Sequence, residues 1–346
     1  MRYQFEFRPY QQKFVRSLST SHGTWDIREG VILRLTDETG NIGWGEIAPI
    51  SWFGSETLEQ ALEFCHQLPE EITQETIFSI PDELPACQFG FESAWEWGVK
   101  KDAENGGRAD AEREKVSVSP CLGVPLSHCP IVSYSGLLPA GEAALEVWQK
   151  LWKEGYSTFK WKIGVYPIAQ ELEIFEILSQ TLPASTKLRL DANGGLSYEQ
   201  AHLWLRTCDN VKTNNKFPVE IEFIEQPLSV DQFEAMLKLS DCYQTAIALD
   251  ESVATLHQLV TCFKQGWRKI FVIKPGIVGS PSRLRQFCQQ HKIDAVFSSV
   301  FETTIGRQAA LKLAAELSEH NRAVGFGVNH WFAQEATLPE DLWKKL

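Results

Sequence analysis

An α/β fold is predicted for this sequence: a (β/α)8, TIM-like barrel preceded by a smaller α+β domain. Two observations predict it. From about Cys129 onward, eight short apolar runs alternate with amphipathic helical stretches over roughly 200 residues, the number of alternations a closed barrel needs. Before about Val116 the pattern differs, with three strand-like runs followed by helices.

The elements follow in chain order. Residues 3–7 and 30–35 alternate apolar and polar as half-buried strands do. The stretch Asp37-Glu38-Thr39-Gly40-Asn41 is a hairpin turn signal, and residues 42–47 return as the third strand. Residues 57–68 and 88–101 have helical periodicity. The polar run 102–115 reads as a loop or linker. The predicted barrel strands are residues 131–134, 158–163, 187–191, 221–225, 246–250, 269–274, 295–299 and 323–328, with helices such as 141–154 and 198–207 between them. The resulting division is a first domain over 1–116, a linker over 117–128, a barrel over 129–328 and a terminal segment over 329–346 that packs back on the first domain.

Composition narrows the function classes. Lys and Arg number 33 against 45 Asp and Glu, a net charge of −12, which repels phosphate backbones and disfavours nucleic acid as a partner. No window approaches the roughly 20 apolar residues of a membrane span. The opening residues lack a secretory apolar run, so a soluble cytoplasmic protein with no obligate protein partner is expected. None of the 8 Cys forms a C-x-x-C pair, which suggests reduced thiols and not a disulfide framework or zinc site. The 8 His show no ligand spacing.

Five consecutive barrel runs end in charge: Lys160 and Lys162 on the second, Asp191 on the third, Glu225 on the fourth, Asp250 on the fifth and Lys274 on the sixth. The C-terminal ends of barrel strands open onto one face, where active sites lie. A single charged strand end could merely mark the exit from the core. Five in the order cation, acid, acid, acid, cation point to a site. Three carboxylates together would repel, and some would stay protonated, unless a cation joined them. All-oxygen ligands suit Mg2+, or Mn2+. Such an ion can hold a substrate carboxylate while a neighbouring carbon loses a proton, and the lysines can carry that proton. A small-molecule carboxylate is therefore the expected substrate.

These residues resemble the enolase superfamily, muconate-lactonizing subgroup. Lys160-Trp161-Lys162 is similar to its K-x-K, and Asp191-Ala192-Asn193, Glu225-Gln226-Pro227 and Asp250-Glu251-Ser252 are similar to its three metal-ligand motifs. Lys274-Pro275-Gly276 resembles its opposing lysine, and Gly43-Trp44-Gly45-Glu46 the start of its capping domain. The spacings between successive charged residues from Lys162 onward, 29, 34, 25 and 24, each fit one βα unit. A loop insertion over 212–218 is expected to explain the longest.

The resemblance implies that Asp191, Glu225 and Asp250 bind Mg2+, that Lys162 is the acid/base, that Lys160 tunes it and contacts substrate, and that Lys274 is a stabilising cation. Asn193 is expected to support the site, and Glu251 to point to the other side of its strand by the two-residue alternation. Residues 48–57, 278–280 and 297–302 resemble the branch that carries out a syn dehydration making an aromatic ring. It implies substrate contacts at Gly279, Ser280, Ser298 and Ser299. Val300 departs from that branch, which often has a third serine there. Sister branches epimerise dipeptides or racemise N-acylamino acids. The first usually has an Asp-x-Asp on the eighth strand, absent from residues 325–329 here. A barrel reduced to a binding module would be expected to have lost at least one of the five charges. Trp25, Trp52 and Phe53 are expected in capping-domain loops, either as packing between domains or as a lid.

Overall fold

The structure is a computed structural model that describes residues 1–20, 23–105, 133–213, 217–320, 322–328, 332 and 338–346. It opens with strands β1 (Arg2–Thr20), β2 (Gly23–Asp37) and β3 (Ile42–Ile47), then helix α1 (Leu58–Gln67), strand β4 (Glu71–Thr73) and helices α2 (Gln74–Phe78) and α3 (Pro85–Asn105). The four strands form an antiparallel sheet in the order β3-β2-β1-β4. The two long strands run well beyond the expected residues 3–7 and 30–35. Their ladder pairs Tyr3 with Asp37 at one end and Thr20 with Gly23 at the other, with one irregularity between Lys13 and Leu18. Trp25, expected in a loop, therefore lies within β2.

Helix α3 also exceeds its expected bounds and takes in the first residues of the predicted linker. Its start is set from far away in sequence: the buried Glu56 carboxylate accepts the Ala86 and Cys87 N–H groups at 3.0 and 2.7 Å, satisfying donors that a helix N-terminus leaves free. The rest of the predicted linker, including 117–128, lies outside the described residues.

The second part alternates strand and helix: β5 (Ser135–Leu138), α4 (Ala144–Lys153), β6 (Thr158–Lys162), α5 (Ile168–Thr181), β7 (Lys187–Asp191), α6 (Tyr198–Thr213), β8 (Glu220–Glu225), α7 (Phe233–Cys242), β9 (Ala246–Leu249), α8 (Leu256–Lys264), β10 (Ile270–Ile273), α9 (Pro275–Val278), α10 (Pro281–His291), β11 (Asp294–Phe297) and α11 (Thr304–Leu317), with α12 (Pro339–Lys345) at the end. Strands β5 to β11 form one seven-stranded parallel sheet in sequence order. The first expected run, 131–134, falls short of β5, and of it only Ser133 and Tyr134 are described. The last, 323–328, forms no strand. Its residues make isolated parallel bridges, Val324 to Tyr134 and Gly325 to Ser298, which join the two edges of the sheet. Helix α6 runs through Thr213, so the long spacing between Asp191 and Glu225 is partly extra helix and not wholly the loop expected over 212–218.

Alternation along the strands sorts side chains into two layers. Phe159, Trp161, Leu188, Leu190, Ile224 and Ile273 pack outward against the helices in one large core. Phe223, Ala248, Ile270, Val272 and Val296 form a separate cluster on the inner side. Six of the eight cysteines are described; all are free and all but Cys242 are buried. Among the described residues no helix is long and apolar enough to cross a membrane.

The two parts meet through carboxylates at helix N-termini. Glu46 of β3 accepts the Thr303 and Gly306 N–H groups, each at 2.9 Å, at the start of α11. Glu92 of α3 accepts Ser282 N–H at 2.9 Å at the start of α10. Helix α12 returns to the first part, where its Trp343 lies edge-on to Trp44 at 5.5 Å and beneath the Arg8 guanidinium.

Candidate active site

The charged strand ends all lie on the inner side. Lys160 and Lys162 alternate with the buried Phe159 and Trp161, so one face of β6 packs on helices and the other carries both ammonium groups. Register then aligns the ring, pairing Lys162 with Asp191 and Asp191 with Glu225 across neighbouring strands. The structure thus brings together Lys160, Lys162, Asp191, Asn193, Glu225, Asp250 and Lys274.

Lys160 Nζ donates to Asp191 Oδ2 at 2.7 Å and to Glu225 Oε1 at 2.8 Å. Burial works against its charge, but Asp191, Glu225 and Asp250 outweigh burial and raise its pKa above the ordinary lysine value. Lys274 Nζ pairs with Asp250 Oδ1 and lies 3.9 Å from the centre of the Phe53 ring. Lys162, partly buried, makes no hydrogen bond or ion pair with any described residue.

Glu251 corrects an expectation. It does not turn away from the site: its Oε1 accepts from Asn193 Nδ2 at 3.1 Å, while Asn193 N–H donates to Asp191 Oδ1 at 3.1 Å. The two-residue alternation fails because β9 ends at Leu249. Asp250 has φ −120° and ψ −75°, and Glu251 opens a 3-10 turn. The sequence carries a signal for this, an acid beside an acid, and the strand ends before the alternation would reach Glu251.

The residues expected to contact substrate separate into two groups. Ser298 remains beside the bridge to Gly325. Ser299 Oγ donates to the Glu302 carboxylate at 2.9 Å and accepts Phe301 N–H at 2.9 Å. Gly279 and Ser280 lie against α3: Ser280 N–H donates to Gln88 Oε1 at 3.0 Å, and its hydroxyl bonds Glu92 while capping α10. The Ser280 side chain is thereby engaged in joining the two parts of the chain. Val300 is a core residue packed with Ile277 and the first domain; a Cβ on Gly276 would come within 2.6 Å of it. Trp25 lies edge-on to Trp52 at 4.9 Å and to Phe301 at 5.6 Å, so the aromatics of the first part join the turn after β11 while Phe53 reaches the charged ring.

Among the described residues no three His, Cys, Asp or Glu side chains are gathered closely enough to hold an ion as they stand; Asp191, Glu225 and Asp250 are ion-paired with Lys160 and Lys274 instead. The donor set nevertheless fits a hard divalent cation. Four carboxylates, Asp191, Glu225, Asp250 and Glu251, share the ring with three lysines, Lys160, Lys162 and Lys274, so the acids outnumber the cations. One buried oxygen, Glu251 Oε2, has no hydrogen-bond partner among the described residues. Burial, and then Asp191, push Glu225 up to about 8. Burial likewise raises Asp250 and Glu251. Buried acids whose charge is disfavoured in this way are relieved by a divalent ion.

Fold and ring together define an α/β enzyme that handles a carboxylate substrate beside a divalent cation. The description "Enolase C-terminal domain-like" matches residues 143–342, and "MenC, N-terminal domain" matches residues 10–96. An o-succinylbenzoate synthase of Thermosynechococcus vestitus is 38% identical, covering 99% of each chain. The crystal structure of o-succinylbenzoate synthase from Thermosynechococcus elongatus BP-1, complexed with Mg in the active site, superposes with a TM-score of 0.83 at 36% identity, covering 99% of this chain and 100% of that one. The L-Ala-D/L-Glu epimerase of Bacillus subtilis shares the fold, with a TM-score of 0.71 at 21% identity over 96% and 91% of the two chains. The chain belongs to the enolase superfamily.

Proposed function

We propose that this chain is a Mg2+-dependent o-succinylbenzoate synthase, a carbon–oxygen lyase. It takes 2-succinyl-6-hydroxy-2,4-cyclohexadiene-1-carboxylate to 2-succinylbenzoate and water, a step toward menaquinone or phylloquinone. The similarity over the whole chain to a synthase supports the reaction. One observation supports the division of labour: of the three lysines on the ring, two are paired with acids, and Lys162 alone has no such partner among the described residues.

In this reading Asp191, Glu225 and Asp250 hold the cation, with Asn193 and Glu251 orienting them. The ion, when bound, supplies a Lewis acid that binds the substrate carboxylate and stabilises charge developing beside it. Lys162 Nζ takes the proton from the carbon next to that carboxylate. The resulting ammonium then returns the proton to the departing hydroxyl on the same face, water leaves, and the ring becomes aromatic. Lys160, held by Asp191 and Glu225, keeps its charge and stands beside Lys162 on the same face of β6. Lys274 stays a cation on the opposite side, held by Asp250. Ser298 and the turn that follows β11 are available to the succinyl group.

The architecture that goes with this reading is a (β/α)8 barrel in which residues 323–328 stand as a reduced eighth strand. Residues 1–116 form the capping domain, 117–128 the linker, 129–328 the barrel and 329–346 a segment returning to the cap. The location is cytoplasmic and the partner a small-molecule carboxylate. Racemisation of N-acylamino acids is the second reading, because Lys162 and Lys274 stand on strands far apart around the ring. Lys274's engagement with Asp250 and Phe53 favours an electrostatic role over that of a second base. Purified protein with Mg2+ and the cyclohexadiene substrate is expected to release 2-succinylbenzoate, followed by absorbance. Racemisation of N-succinylamino acids with no dehydration would overturn the assignment.

A further inference from the structure

Each carboxylate of the ring sits where a strand gives way to a turn, so its position is only as fixed as that turn. One residue touches all three turns. Gln226 follows Glu225 directly and is fully buried, with φ +38°, a left-handed conformation that is costly for any residue but glycine. Its carbonyl accepts Gly194 N–H at 2.7 Å, in the turn after Asp191. Its own N–H donates to Ala248 O at 2.8 Å, on the strand that leads into Asp250. Its side-chain Oε1 accepts Asp250 N–H at 3.0 Å and Ser252 N–H at 3.2 Å. Its Nε2 donates to Ser252 Oγ at 2.8 Å and to Leu228 O at 2.9 Å. All the polar capacity of the amide is used, and most of it is directed at the turn that carries Asp250 and Glu251.

We propose that Gln226 is the positioning residue that fixes the spacing of the three carboxylates, by tying the turn after Asp191 and the turn carrying Asp250 to Glu225. The left-handed backbone serves this role: it lets one residue present its carbonyl to the turn after β7 and its side chain to the turn after β9. Asn193, also left-handed at φ +44°, stands two residues after Asp191 and links it to Glu251. The inference rests on the reading of Asp191, Glu225 and Asp250 as the cation site, and its test separates the two.

The measurement is the Kd for Mn2+, read by electron paramagnetic resonance of free Mn2+ on the full chain without substrate. Gln226→Met keeps the length of the side chain and removes its five side-chain hydrogen bonds, the fifth being Nε2 to Met236 Sδ at 3.6 Å. It is expected to weaken Mn2+ binding about tenfold to a hundredfold, the usual consequence of losing a residue that orients metal ligands. Asp250→Asn should weaken it also, and Glu222→Gln, a buried change away from the ring, should leave the Kd within about twofold. An unchanged Kd in Gln226→Met beside a weakened one in Asp250→Asn overturns the inference alone. No change in either overturns the cation site and the inference with it. Equal weakening in Glu222→Gln makes the effect one of general stability and overturns the inference. If Gln226→Met does not fold, Ser252→Ala, which removes the bond from Gln226 Nε2 to Ser252 Oγ, carries the test: about threefold weakening supports the proposal and none overturns it.

Discussion

Two glutamates on β8, three residues apart, are both buried and respond in opposite ways. Glu225, at the C-terminal end, is held well above the ordinary carboxylate range by burial and by Asp191. Glu222, toward the other end, is also desolvated, but Arg189 and then Arg322 hold it below the ordinary value. The difference lies in the balance of neighbours. Around Glu222 the charges match: Arg189 Nε donates to it at 2.6 Å, and Arg322 bridges it to Asp294. Arg189 also donates to Ala323 O at 2.7 Å, anchoring the segment that joins the sheet edges. Around Glu225 the acids outnumber the cations. A charge network in balance holds the fold, whereas one in which acids outnumber cations is where the proposed ion would relieve repulsion.

The largest expected effect tests the excess. Dialysis against EDTA is expected to abolish dehydration, and Mg2+ or Mn2+ to restore it. Full activity in protein verified as metal-free would remove the distinction between the two networks.

The next effect falls on the unengaged lysine. Lys162→Ala is expected to slow dehydration by roughly 10² to 10⁴, the contribution of a general acid–base group, while the folded far-UV signal is kept. Exchange of the substrate α-proton with deuterated solvent should fall in parallel. Exchange at the wild-type rate would show that another group is the base.

The smallest effect on chemistry, and the clearest on stability, belongs to the balanced network. Glu222→Gln leaves Arg189 buried beside a neutral partner and is expected to cost about 3 kcal/mol in chemical denaturation, while Mg2+ binding is unaffected. The sign of the pH dependence follows from the lowered pKa. The contribution of Glu222 is complete above its unfolded value of 4.5 and is lost as pH falls through the folded value. The variant should therefore lose less stability than the parent on acidification below about pH 4.5. A parallel loss in both proteins would place the stabilisation elsewhere.

The charge ring was legible before any coordinates because strand alternation is local. Once residues 158–163 read as a strand with Phe159 and Trp161 on one face, Lys160 and Lys162 had to share the other, and the same logic reached Asp191, Glu225 and Asp250. It failed one residue later. Whether a strand continues or breaks into a turn depends on hydrogen bonds from other strands, and Gln226 from the neighbouring strand breaks this one at Asp250. The packing of Val300 and Ser280 is set in the same non-local way. Their surroundings come from Gly276, Gln88 and Glu92, the last two roughly 190 residues away in the chain.

By itself the sequence determined the alternation of elements, the inward faces and the identity of the ring, because these follow from periodicities of two and 3.6 residues within single segments. The tertiary structure alone decided which acids are balanced and which are in excess, that the last apolar run closes the sheet by bridges and not as a strand, and that a single glutamine joins three turns. Each of these depends on distances between segments remote in the chain, and neither composition nor spacing encodes a distance.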